Sequence, residues 1–155
     1  MVDHPVRARL AISALAALTL LAAVLGSNAS QAARAKSVAN EAQWVSFDPE
    51  AKTVTLEILT EGKGNKALAK KFKRTVKRGK QVTINVIPEG SIRERTSVAI
   101  HGRMATLGDI KAGKRVVLYW IEDPRQAGEL FARKIDVLFS REELRERYRA
   151  EGAGE

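Results

Sequence analysis

Cysteine is absent from the 155-residue chain. That excludes a disulfide framework, a thiolate metal site and a cysteine nucleophile, so any oxidising compartment leaves the fold to rest on burial alone. Histidine is scarce, with only His4 and His101, and no Gly-x-Ser-x-Gly stretch occurs. A hydrolase needs a nucleophile beside a base, or paired carboxylates. Most acidic residues instead fall in turns (Asp48, Glu50, Asp109, Glu122 and Asp123 among them) or on a C-terminal helix. Gly62-x-Gly64 lacks the pattern of a phosphate loop. These absences point away from an enzyme. One further absence is local: Gly62 to Lys80 contains no acidic residue.

What is present is apolar and basic. Hydrophobic residues make up 45% and charged residues 29%, a globular balance. The formal charge is +9; leaving out the first 32 residues gives 25 basic against 17 acidic, or +8. A charge of this size favours anionic partners without choosing among them.

The N-terminus reads as a targeting segment. Arg7 and Arg9 precede sixteen uncharged residues, Leu10 to Leu25, and a small, polar stretch follows through Ala32. Basic, apolar, then small and polar is the order of an export signal, with Ser30-Gln31-Ala32 or Ala33-Arg34-Ala35 as a cleavage site. An uncleaved inner-membrane anchor is the alternative. Sixteen helical residues reach about 24 Å, short of the ~30 Å hydrocarbon core, which favours cleavage. Either way, the positive end stays inside and the remainder is expected in the periplasm or exported. Residues 1–32 are therefore expected as a signal peptide or an apolar anchoring helix, residues 33–43 as a linker, 44–139 as a β domain and 140–155 as a helix with a tail.

Within the β domain, Trp44–Phe47 and Thr53–Ile58 flank the turn residues Asp48 and Pro49, which predicts a hairpin. Val54, Leu56 and Ile58 alternate with polar neighbours, as in a half-buried strand. Gln81–Ile87, Val98–His101 and Arg115–Ile121 follow as strands, with Leu130–Phe139 the last. Both faces of Arg115–Ile121 are apolar, so that strand is expected to be central and covered on both sides. Phe131, Ile135, Val137 and Phe139 are expected on one face of the last strand. The pattern K-x-G-K-x-V occurs twice, at Lys77–Val82 and Lys111–Val116, and predicts one turn used twice, with glycine at positive φ.

Nine basic residues crowd Gly62–Lys80. Leu68, Phe72 and Val76 recur at i, i+4, i+8, predicting a helix over 65–77 with one apolar stripe and lysines on the other sides. Such a charge run is either a solvated face or a docking surface for acidic protein or anionic lipid. Its candidate contacts are Lys66, Lys70, Lys71, Lys73, Arg74, Lys77 and Arg78. At the C-terminus, Ser140 and Glu143 form a capping box, with Phe139 and Leu144 as its hydrophobic staple, so a surface helix should start there.

From Trp44 to Val137 the pattern resembles the small exported OB-like β-barrel domains of the DUF5666 type. The features that carry this are the opening hairpin around Asp48-Pro49, the stretch Thr106-Leu107-x-Asp109-Ile110-Lys111-x-Gly113-x-x-Val116, and the closing Ala132-Arg133-Lys134-Ile135. The basic insertion at 63–80 departs from the shorter connection of those domains. The resemblance implies a mainly β, OB-like barrel and an envelope location, and it carries over no catalytic residues.

OB folds bind single-stranded nucleic acid through surface aromatics. Here most aromatics fall at core-facing positions, so nucleic acid is not the expected partner. His101 and Met104 are the only metal-ligand candidates of the exported part. A soft Cu(I) site wants two or more sulfur or nitrogen ligands, so an ordinary loop histidine and a gap-filling methionine are expected, and no cofactor. The resulting expectation is a non-enzymatic accessory or scaffolding protein of an envelope complex. A periplasmic small-ligand or copper carrier is the alternative.

Overall fold

The computed structural model describes residues 36–152. The predicted leader, the first residues of the predicted linker and the last three residues of the tail lie outside them. The elements in order are β1 (Val38–Asp48), β2 (Thr53–Ile58), β3 (Lys63–Gly64), α1 (Lys66–Lys71), β4 (Gln81–Asn85), β5 (Ser97–Ile100), β6 (Arg103–Met104), a 3₁₀ turn (Leu107–Asp109), β7 (Arg115–Glu122), β8 (Leu130–Val137) and α2 (Arg141–Gly152). The fold is mainly β: one eight-stranded sheet whose pairings close into a ring. β1 pairs with β2 and with β7, β2 pairs with β4, and β8 pairs with β7, all antiparallel. β4 and β8 complete the ring in parallel at Asn85 and Phe131. β5 runs parallel to the second half of β8 and carries β6 on its far edge.

The ring encloses the core. Val54, Leu56 and Ile58 of β2 alternate inward against Val82 and Ile84 of β4, Val116, Leu118 and Trp120 of β7, and Ile135 and Val137 of β8. The Asp48–Lys52 turn closes the first hairpin as predicted: Asp48 Oδ1 accepts from the Glu50 and Ala51 amides at 2.9 Å each.

The structure corrects four expectations. First, β1 begins at Val38, so residues 38–43 are strand and not linker. They pair with β7 from Val38↔Trp120 to Gln43↔Arg115. Ala39, Asn40, Glu41 and Ala42 are poor strand formers, but pairing and burial override that weak preference. Asn40 is 1% exposed and satisfied: its Oδ1 accepts from Trp120 Nε1 at 2.8 Å and its Nδ2 donates to the Thr60 carbonyl at 2.9 Å.

Second, the helix predicted over 65–77 is α-helical only across Lys66–Lys71 and continues as turns. Asn65 caps its start, its Oδ1 accepting from the Leu68 amide at 3.1 Å. The stripe itself holds. Phe72 is buried and meets the Trp120 ring edge-on at 5.7 Å, while Leu68 and Val76 pack half-buried against the same core. Third, β7 is central, with a neighbour on each edge, but only one face is buried. Val117, Tyr119 and Ile121 are half-exposed on the other.

Fourth, Phe131 does not share a face with Ile135. The register moves from Tyr119↔Lys134 to Trp120↔Ala132, leaving Arg133 as an extra residue. A bulge of this kind exchanges the faces of the strand beyond it. Leu130 and Ala132 therefore join Ile135 and Val137 inside, and Phe131 is covered from the other side by Arg125, whose guanidinium lies 5.3 Å from the ring centre. A second register shift, at Val45 of β1, lets Phe47 follow Trp44 onto the core side.

The repeated K-x-G-K turn is one device docked twice. Gly79 and Gly113 have φ of 79° and 83°. Gly79 donates to the Ile58 carbonyl at 2.7 Å, and the Lys80 carbonyl accepts from the Ile58 amide at 2.9 Å. Gly113 donates to the Trp44 carbonyl at 2.8 Å, and the Lys114 carbonyl accepts from the Trp44 amide at 2.8 Å. A Cβ at Gly79 would meet nothing within 4 Å, and one at Gly113 only Gln43 Nε2 at 3.8 Å. The cost of adding one is then purely conformational. Gly79→Ala and Gly113→Ala should each destabilise by about 1 kcal/mol, the left-handed penalty for an L-residue. Urea midpoints of the two single variants check this, and clearly unequal losses would count against a shared turn.

Candidate functional site: a basic depression

The basic segment is held by its apolar stripe. With Phe72 packed against Trp120, residues 66–78 are tied to the core and their cations are exposed. The chain then re-enters the sheet through the Lys77–Lys80 turn. The result is an open depression of about 1000 Å³ lined by Glu61, Gly62, Ala69, Val76 and six cations: Lys70, Lys73, Arg74, Lys77, Arg78 and Lys80. Ala69 and Val76 are its half-buried apolar part; all six cations are exposed. Set against the single carboxylate of Glu61, the lining carries a formal +5.

Five of the seven expected contacts thus converge: Lys70, Lys73, Arg74, Lys77 and Arg78. Two do not. Lys66, at the start of α1, is exposed but outside the lining. Lys71 is already engaged: its Nζ donates to both oxygens of Glu122 at 2.7 Å. That bond, with the Gly128 amide as a second donor, holds the Glu122 carboxyl below its ordinary range. Lys80 belongs to the depression although it stood outside the expected set. The signal for it was present in the K-x-G-K repeat, which places it at the head of β4.

Among the described residues, Lys71 is the one cation of this segment in a salt bridge. Elsewhere the pairing is regular: Lys114 with Glu143, Arg115 with Glu41, Arg125 with Asp123, Lys134 with Asp136 and Arg147 with Glu151. Asp123 is buried, and the Arg125 guanidinium above all, with Asn85 assisting, lowers its carboxyl pKa. Glu122 and Asp123 are therefore tied into local structure, while among the described residues the six cations of the depression have no carboxylate partner. Like charges at this density repel one another and raise the local field.

The metal candidates sit elsewhere. His101 and Gly102, at φ of 52° and 80°, form the two-residue turn between β5 and β6. Two central residues at positive φ are the requirement of a type I′ hairpin turn. The His101 ring stacks on Phe139 at 3.7 Å between centres and 11° between planes. Met104 is 68% exposed. Among the described residues, no group of three His, Cys, Asp or Glu side chains is placed to hold a metal.

Glu143 ties α2 to the sheet. Its Oε1 accepts from Lys114 Nζ at 2.6 Å, and its Oε2 accepts from the Ser140 amide at 2.7 Å; the Ser140 hydroxyl accepts from the Glu143 amide at 3.1 Å. The expected capping box is present. Phe139, the expected staple, stacks on His101, and Leu144 is 37% exposed. The Lys114 bond first, then the Ser140 amide, lower the Glu143 pKa from 4.5 to about 2. A carboxylate depressed in the folded state stabilises it above its unfolded pKa, and that contribution fades as the pH falls through the folded value. Glu143 is a third exposed, so solvent screening reduces the effect. Glu143→Gln should cost about 1 kcal/mol at neutral pH and flatten the acid dependence of stability between pH 4.5 and about 2. Denaturant midpoints across that pH range measure it.

Comparison with protein-family models, with characterised proteins and with solved structures finds no match for this chain. The resemblance to exported OB-like domains therefore rests on the residues that carry it, and the reading of the site rests on its geometry.

Proposed function

We propose that this is an exported, non-enzymatic accessory or scaffolding protein of an envelope complex, an OB-like barrel that docks through its basic depression on an acidic protein or anionic lipid. What supports the barrel reading is the ring β1-β2-β4-β8-β7-β1 with its one parallel closure. That is a five-stranded closure of the kind OB-like folds use. What supports export is the basic, apolar, then small and polar order of residues 1–32.

The docking reading is carried by one observation: six cations converge on one open depression, and among the described residues none of the six has a carboxylate partner. Building such a surface costs the folded state self-repulsion, and an external anion relieves it. The test is co-sedimentation of the protein with a membrane fraction of its own cells. The expected result is retention at low ionic strength and release at moderate salt, because exposed charges are screened beyond about 8 Å at physiological strength. Absence from the pellet under both conditions overturns the reading.

A further inference from the structure

The two K-x-G-K turns make the same backbone bonds, but their final lysines have different fates. In the second copy, Lys114 is taken by the Glu143 carboxylate, from the first turn of α2, at 2.6 Å. In the first copy, the equivalent Lys80 reaches, among the described residues, only the Arg74 carbonyl, at 3.4 Å. Lys80 lies among the cations of the depression, and the one carboxylate there, Glu61, pairs with none of them. The chain thus shows what its own turn accepts, at a position where that partner is in cis, and repeats the turn where the described residues supply no such partner.

We infer that the basic depression is a receptor for an acidic segment of another protein, whose glutamate or aspartate side chains take at Lys80 and its neighbours the place that Glu143 takes at Lys114. This rests on the docking function proposed above and names its partner class. Two features favour a peptide over a bilayer. Ala69 and Val76 supply a small apolar area for an aliphatic side chain between the acids. The template at Lys114 is a carboxylate fixed at a helix N-terminus, where a capping glutamate offers its second oxygen to a lysine.

The experiment titrates the full-length protein with a short oligoglutamate peptide and, separately, with vesicles of phosphatidylcholine with and without phosphatidylglycerol. The inference predicts oligoglutamate binding that weakens about tenfold in Lys77→Ala/Lys80→Ala, as expected for two exposed charge contacts. Lys114→Ala, whose partner is internal, should leave that affinity unchanged. Binding to anionic vesicles without binding to oligoglutamate overturns the inference and leaves the docking function standing. Failure to bind either probe overturns both. Oligoglutamate binding that Lys77→Ala/Lys80→Ala does not weaken overturns the placement at this turn. The turn is docked through its backbone, and the one side-chain bond lost is the 3.4 Å contact of Lys80 with the Arg74 carbonyl, so the variant is expected to keep its fold.

Discussion

Trp120→Ala should lower the free energy of unfolding by about 4 kcal/mol, within the range for deleting a buried tryptophan. Trp120 is 1% exposed and joins three parts of the molecule. Its strand neighbours are Val38 of β1 and Ala132 of β8, its Nε1 donates to the buried Asn40 Oδ1, and its ring receives the edge of Phe72. The alanine variant leaves a cavity and an unsatisfied acceptor together. Trp120→Phe keeps the aromatic contact and removes the N–H, so it should cost about 2 kcal/mol, the price of a stranded polar group plus a small void. Urea unfolding at constant m-value separates the two. Because Phe72 anchors the basic segment on this ring, amide exchange across residues 66–80 should quicken in Trp120→Ala more than exchange across β5. A loss of about 0.5 kcal/mol or less, as for a surface substitution, would contradict this account of the core.

Reversing four charges of the depression, with Lys70→Glu, Lys73→Glu, Arg74→Glu and Lys77→Glu together, should weaken binding to an acidic partner by at least about a hundredfold. Each cation contributes up to about 1 kcal/mol at an exposed contact, and reversal replaces attraction with repulsion. The fold should survive, since none of these side chains is buried or, among the described residues, in an ion pair. Replacing the same four by glutamine should even raise stability slightly, by about 0.5 kcal/mol, through relief of self-repulsion. A face that weakens the free protein and strengthens a complex is what the proposed docking role predicts. Affinity measured on the same variants distinguishes this from a merely solvated face, for which charge reversal would leave binding unchanged, and the unfolding midpoint checks that the fold survives.

The sequence was most legible where turn chemistry and period two agree. Asp48-Pro49 announced the first hairpin, and Val54, Leu56 and Ile58 announced its inward face. The Leu68, Phe72 and Val76 stripe was readable because it needs only spacing, but its helix length was not. The helix ends at Lys71, with Phe72 as its C-cap, and the chain carries on as turns. The bulges hid the most. Arg133 looks like an ordinary alternating residue, yet as an extra residue it moves Phe131 to the opposite face. The start of β1 was hidden for another reason: a buried Asn40 reads as polar until its partner Trp120, eighty residues away, is in place. Of the site, the cations were visible and their convergence only partly so. Lys71 could not be seen to be spoken for, because Glu122 is distant in sequence. The repeated turn was visible, but the carboxylate filling one copy came from a helix known only by its cap.

The measurement that bears most directly on the docking claim is amine-reactive footprinting of the lysines, read by mass spectrometry, with the protein in its native extract and alone. All the lysines compared are exposed in the free protein. Protection of Lys70, Lys73, Lys77 and Lys80 in the extract, with Lys52 and Lys111 labelled as before, is the predicted result. Equal labelling of all six in both conditions would contradict it.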